Sequence, residues 1–238
     1  MVLVLLHGFT QTRQSWRRTI AALGGRYRAL APDLPGHGLA AERRPASFAA
    51  CAAYVRALAD EPCVLAGYSM GGRIALYTAL AVPGLVQGLV LVGASPGLAD
   101  AAEREARRRA DLALADRIEA IGVVAFAQEW GAQDLFAGQE ARVAAAAHAD
   151  RLRNTPHGLA AALRGLGTGV MPPLWTRLGE LAMPVTLVVG ERDAKFRAIA
   201  DRMASAIPDC RVEIVAGAGH AAQLEQPDVV AAAIRGRP

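Results

Sequence analysis

Three residues of this chain are of the types that activate a hydroxyl, and they occur in a workable order: Ser69, then Asp193, then His220. Ser69 stands in Gly67-Tyr68-Ser69-Met70-Gly71, a G-x-S-x-G pattern followed by Gly72-Arg73. A serine hydroxyl is a weak nucleophile or base until an imidazole takes its proton, and that imidazole needs an acid to fix its tautomer. Asp193, in Gly190-Glu191-Arg192-Asp193, and His220, in Ala218-Gly219-His220, supply those partners. The alternative for Asp193 is a turn-capping carboxylate. Of the five histidines, His220 alone follows the last apolar run in a glycine-rich loop; His7 and His37 read as turn or packing residues, His148 and His157 as loop residues.

These residues need elements that bring them together. Short β-branched or Leu-rich runs recur at 2–6, 64–66, 89–92, 185–189 and 212–215, with a weaker one at 28–31 and helical patterns between most of them. Continuous apolar runs of this length belong to strands covered on both faces, so an α/β fold with a mostly parallel sheet flanked by helices is predicted. Ligands in such sheets sit beyond the carboxyl ends of the strands. Ser69, Asp193 and His220 each follow a predicted strand, as do His7-Gly8-Phe9 and Asp33-Leu34-Pro35-Gly36-His37-Gly38. The G-x-S-x-G pattern is common by itself, but here it follows a strand and opens a helix, where a strained turn lifts the hydroxyl into the open. The expected oxyanion-hole donors are the Met70 N–H at that helix start and the Phe9 N–H after the first strand.

From Pro96 to about Arg177 the strand signal gives way to an Ala/Arg/Glu-rich helical stretch. The expected organisation is a core first part over 1–95, an inserted helical cap over 96–177 and a core second part over 178–238. After the cap, Phe196, Ile199, Ala200, Met203 and Ile207 form one apolar helical stripe, read as core packing.

Arg73 lies four residues after Ser69 on the same helix face, near a helix N-terminus that disfavours a cation by up to about 1 kcal/mol. Two compensations are open: a salt bridge to a core carboxylate, or a substrate carboxylate held beside the serine. In the cap, Arg104, Arg107 and Arg108 share a helix face, and Glu103–Arg107 and Glu105–Arg109 are spaced as i,i+4 pairs, which suits a solvated face. Trp130, Arg151 and Arg153 read in the same way as cap packing and surface charge.

Composition narrows the field. The chain has 238 residues, 53% of them apolar and 20% charged, enough for a large core and too apolar for disorder. No apolar run approaches the ~18 residues of a membrane span, and Val2–Leu6 has no basic leader, so a cytoplasmic protein without membrane attachment is expected. The net charge of +4 does not point to nucleic acid, because the basic residues are scattered and aromatics are few. Cys51, Cys63 and Cys210 are too far apart for a metal motif and are read as small core residues.

Over nearly its whole length the chain resembles the α/β-hydrolase superfamily. Within it, the chain resembles the 2-succinyl-6-hydroxy-2,4-cyclohexadiene-1-carboxylate synthases, lyases of menaquinone biosynthesis. The stretches that carry the narrower likeness are Gly71-Gly72-Arg73, Ser95-Pro96-Gly97-Leu98 with Glu103-Arg104 and Arg107, Arg153-Asn154-Thr155-Pro156-His157-Gly158-Leu159-Ala160, and Glu191-Arg192-Asp193-Ala194-Lys195-Phe196. The resemblance implies elimination of pyruvate from an enolpyruvyl cyclohexene carboxylate bearing a succinyl group, with no metal or organic cofactor. It further implies a small tricarboxylate substrate held by Arg73, Arg107 and Arg153, with Tyr68 and Trp130 lining the pocket. The chain starts at the strand leading into His7, without the preceding strands usual in the superfamily, so the sheet edge there is expected to differ. A carboxylesterase or C–C hydrolase acting on an acidic substrate is the second reading, and a catalytically silent binding protein of the same fold the third.

Overall fold

The computed structural model describes residues 1–236. Six strands, β1 (Val2–Leu6), β2 (Arg28–Leu30), β3 (Cys63–Tyr68), β4 (Val86–Val92), β5 (Val185–Gly190) and β6 (Cys210–Val215), form one sheet in the order β2-β1-β3-β4-β5-β6. Every neighbouring pair is parallel. The helices are α1 (Arg17–Ala22), α2 (Phe48–Leu58), α3 (Met70–Ala81), α4 (Ala101–Gly131), α5 (Ala141–Arg151), α6 (Pro156–Leu166), α7 (Ala194–Ala204), α8 (Ala222–Glu225) and α9 (Pro227–Arg235).

Alternation along the strands divides the apolar side chains between two layers. Val2, Val4, Leu6, Leu65, Leu89 and Leu91 pack against α2, α3 and α7, while Leu3, Leu5, Val64, Val90 and Val92 pack against α1 and α9. Residues buried on both faces explain why β1, β3 and β5 read as continuous apolar runs. The apolar stripe of α7 meets the first layer through Ala200 and Met203. None of the three cysteines forms a disulfide; burial pushes the Cys51 thiol up to about 12 and the Cys63 thiol up to about 11, which keeps both protonated.

Between β4 and β5 the chain leaves the sheet for α4, α5 and α6. These helices have a small core of their own, with Ala115, Ile118 and Phe126 of α4 against Leu159, Ala160 and Leu163 of α6. Gly122 interrupts α4 with φ 77 and ψ 169, so the long helix is two arms joined at one glycine. Among the described residues no helix is long and apolar enough to cross a membrane.

Candidate active site

The sheet topology marks one crevice. From β1 the chain turns outward to β2, whereas from β3 it turns the other way through α3 to β4, so the connections diverge between the carboxyl ends of β1 and β3. Phe9 follows β1 and Ser69 follows β3. Ser69 has φ 49 and ψ −109, a conformation that L residues rarely adopt and that is stored strain at the turn into α3. Gly67 and Gly71 make the turn possible: a Cβ on Gly67 would lie 2.3 Å from the Gly71 carbonyl oxygen, and one on Gly71 2.2 Å from that of Leu6.

The elements bring Ser69, His220 and Asp193 into one hydrogen-bonded line. His220 Nδ1–H donates to Asp193 Oδ2 at 2.6 Å, which leaves Nε2 to accept from Ser69 Oγ at 3.3 Å. The other Asp193 oxygen, Oδ1, accepts the Phe196 N–H at 3.3 Å, so the carboxylate both caps α7 and orients the imidazole. His220 is held between two rings, Phe196 at 4.5 Å and Tyr68 at 5.3 Å between centroids.

Phe9 and Met70 both line the cavity above this group, and their N–H groups donate to no carbonyl or side chain among the described residues. Two neutral histidines support the Phe9 loop from below. The His7 ring bonds the Gly8 carbonyl through Nδ1 at 2.9 Å and accepts the Leu34 N–H at Nε2 at 2.9 Å. The His37 ring bonds the Pro35 carbonyl through Nδ1 at 3.2 Å and accepts the Thr10 N–H at 3.4 Å. Burial holds both below the usual imidazole range, His37 the further. The structure thus gives His7 and His37 the packing roles expected of them.

A second set of bonds clamps the same loop from the inserted helices. Asn154 Nδ2 donates to the Thr10 carbonyl at 2.7 Å, and its Oδ1 accepts the Gly38 N–H at 3.0 Å. Asp150 accepts from the Thr12 N–H at 2.9 Å and from the Thr12 hydroxyl at 2.5 Å. Thr10 itself has φ 68. The Asn154-Thr155 motif is therefore a fastener, with Thr155 capping α6 through the Gly158 N–H at 3.0 Å.

Ser69 and His220 open into a cavity of about 640 Å³ between the sheet and the inserted helices. Arg73, Arg107 and Trp130 line it, and so do Lys195 and Arg202 of α7 and Trp175. Arg73 is buried and donates to the Leu166 carbonyl at 2.9 Å, with no carboxylate within ion-pair reach among the described residues. Burial, reinforced by the neighbouring Arg107 charge, pulls it down to about 10. Arg107 pairs with Asp111 at 2.7 Å rather than with Glu103, while Glu105 pairs with Arg108 at 2.8 Å and Arg109 at 3.5 Å.

Two expectations are corrected. Tyr68 is not in the cavity wall: strand alternation sends it to the α1/α9 layer, where it packs on His220 and would contact a Cβ placed on Gly8. Arg153 is also outside the wall, 59% exposed and 3.7 Å from Asp150. The buried arginine there is Arg151, the last residue of α5, whereas Arg153 lies in the turn beyond the helix end. Arg151 is buried, its Nε has no hydrogen-bond partner among the described residues, and its charge opposes the strong upward push that burial gives the Tyr68 phenol.

Comparison with known proteins agrees with this architecture. Residues 3–233 match the alpha/beta hydrolase family. A protein of Bacillus subtilis named putative 2-succinyl-6-hydroxy-2,4-cyclohexadiene-1-carboxylate synthase is 39% identical over 94% of this chain and 85% of its own length. A Klebsiella pneumoniae protein of the same name, without the qualifier, is 34% identical over 98% of this chain and 91% of its own. The structure of MenH from S. aureus superposes with a TM-score of 0.93 at 34% identity, covering 99% of this chain and 92% of that one. A thermophilic esterase from Thermogutta terrifontis, solved with malate bound, reaches 0.82 at 28% identity, covering 99% and 88%. With its sheet order, strained serine turn and these relatives, the chain belongs to the alpha/beta hydrolase family and, within it, to the 2-succinyl-6-hydroxy-2,4-cyclohexadiene-1-carboxylate synthases.

Proposed function

We propose that the chain is a lyase that eliminates pyruvate from 2-succinyl-5-enolpyruvyl-6-hydroxy-3-cyclohexene-1-carboxylate to give 2-succinyl-6-hydroxy-2,4-cyclohexadiene-1-carboxylate, acting in the cytoplasm. Ser69, His220 and Asp193 are the catalytic residues of this reading. The Ser69 hydroxyl passes its proton to His220 Nε2 and takes the ring proton α to the succinyl ketone. The electron pair spreads onto the ketone oxygen, where the Phe9 and Met70 N–H groups stabilise it. Its return forms the C2=C3 bond, shifts the C3=C4 double bond to C4=C5 and breaks the C5–O bond. The leaving enolpyruvate takes the proton held on His220 and becomes pyruvate. The inserted helices over 96–177 serve as a cap that completes the binding cavity.

The observation that carries the reading is Arg73: a buried guanidinium one helical turn from Ser69, in the wall of the same cavity, whose one hydrogen bond is to the Leu166 carbonyl and which pairs directly with no carboxylate among the described residues, Asp111 acting on it only at a distance. A substrate carboxylate beside the reacting carbon supplies that partner. Arg107 and Trp130 belong to the same wall. The second reading, a carboxylesterase or C–C hydrolase acting on an acidic molecule, draws on the same Ser69–His220–Asp193 line, whose geometry also suits acyl transfer. A coupled pyruvate assay with the purified protein separates the two. Pyruvate release with little turnover of neutral p-nitrophenyl esters is expected; efficient ester hydrolysis without pyruvate release would overturn the lyase assignment.

A further inference from the structure

Arg73 satisfies one carboxylate, and the proposed substrate carries three. On the α7 side of the cavity stands a second cation in an unusual setting. Arg202 lies 3.9 Å above the Trp175 ring centroid and makes no ion pair among the described residues. Trp175 is itself fixed, because its Nε1–H donates to the Gly97 carbonyl at 2.9 Å. The indole therefore acts as a platform for the guanidinium, whose N–H groups have no hydrogen-bond or ion-pair partner among the described residues. Lys195, seven residues earlier and so on the same face of α7, adds a second positive charge to that side. A solvated arginine that merely shields an indole would look similar on its own, but this one borders the cavity that holds Ser69 and His220.

We infer that Arg202, presented by Trp175, is a second carboxylate station of the binding cavity, taking a substrate carboxylate that Arg73 does not reach. The inference rests on the lyase reading for the identity of the substrate, but not for the existence of the station. Arg202 is a specificity-determining residue in this assignment, since the station selects polycarboxylates over monocarboxylates and takes no part in proton transfer.

The test uses the full chain and two readouts. In the pyruvate assay Arg202→Ala should raise KM about tenfold with kcat within about twofold of wild type, and Arg202→Lys should recover only part of the loss. Arg197→Ala removes an equal charge from the outward face of α7 and should leave KM unchanged. The second readout is calorimetric binding of 2-(3-carboxypropionyl)benzoate, a stable dicarboxylate aryl ketone, which needs no turnover. Arg202→Ala should weaken it about tenfold and Trp175→Leu by a comparable factor, with Tm unchanged for Arg202→Ala. Binding by Arg202→Ala within twofold of wild type, or an equal loss in Arg197→Ala, would overturn the station. If Arg202→Ala weakens dicarboxylate binding about tenfold while Arg197→Ala does not, and wild type releases no pyruvate, the lyase reading fails while the station stands.

Discussion

The strand ends and the inserted helices line the same cavity from opposite sides, yet they are built by different rules. At the strand ends the polar groups are buried and each has a fixed partner: Asp193 with His220, His7 with the Leu34 N–H, His37 with the Thr10 N–H. Along the inserted helices most ion pairs are exposed, such as Arg117 with Glu129 and Arg164 with Glu119, and Gly122 breaks the longest helix. Buried, fully partnered groups hold geometry within tenths of an ångström, whereas exposed pairs contribute little and are easily rearranged. Proton transfer needs the first kind of surface; recognition of a flexible polyanion tolerates the second.

The contrast is sharpest for the reacting group. Ser69→Ala, His220→Ala and Asp193→Asn should each lower kcat by about 10³-fold or more, without adding when combined, and with Tm close to wild type. Retention of about a tenth of the activity by Ser69→Ala in the pyruvate assay would remove serine from the chemistry.

Arg73 tests the boundary between the two surfaces. A guanidinium pulled down to about 10 disfavours folding while it is charged, by an order of about 3 kcal/mol, partly offset by its bond to the Leu166 carbonyl. Arg73→Met should therefore cost about 2–5 kcal/mol of transition-state stabilisation in kcat/KM while Tm stays level or rises. A large fall in Tm would show that the arginine has a structural partner instead.

The fastener between the regions should give an intermediate effect. Asn154→Leu strands the Gly38 N–H and the Thr10 carbonyl, and should destabilise the fold by about 2 kcal/mol in urea titrations. It should also reduce kcat, because the Phe9 N–H belongs to the loop that Asn154 holds.

Acid should act on the strand-end region through His37. Its folded-state pKa lies well below 6.5, so between that value and 6.5 the unfolded chain binds a proton that the folded chain does not. Stability is then complete above pH 6.5 and falls as pH drops through the interval between 6.5 and the lowered folded-state value. Urea midpoints at pH 7.5 and 5 should show the loss in wild type and a shallower one in His37→Gln. The smallest effect belongs to the inserted helices: Arg117→Ala, which breaks an exposed pair, should leave both Tm and KM at wild-type values.

How far the sequence reveals these regions follows from the same contrast. Strands buried on both faces announce themselves as unbroken apolar runs, so Ser69, Asp193 and His220 could be placed after β3, β5 and β6 from the sequence. Arg73 was legible because its offset from Ser69 is one helical turn. Arg151 and Arg153 were not separable, since which of them closes α5 and is buried and which falls in the exposed turn after it is fixed by packing. Tyr68 misleads by adjacency: its neighbour Ser69 faces the cavity, but alternation in β3 turns Tyr68 to the other layer. Arg202 was hidden because the apolar stripe of α7 drew attention to the face that meets the sheet; Lys195, Ile199 and Arg202 form a parallel row that borders the cavity. The bonds of Asn154 and Asp150 join positions more than a hundred residues apart, which no local pattern encodes.

That long-range clamp has a consequence for modular engineering. Residues 150 and 154 of the insertion clamp the loop at 8–12, which carries the Phe9 N–H proposed as an oxyanion donor. A chimaera that exchanges 96–177 for the corresponding segment of another hydrolase inherits the sheet and the serine turn intact. It receives a correctly shaped oxyanion loop only if the donor segment brings its own asparagine and aspartate to the same junction. In this architecture the insertion is a co-author of the loop after β1, and recombination breakpoints placed at its ends divide a single hydrogen-bonded unit.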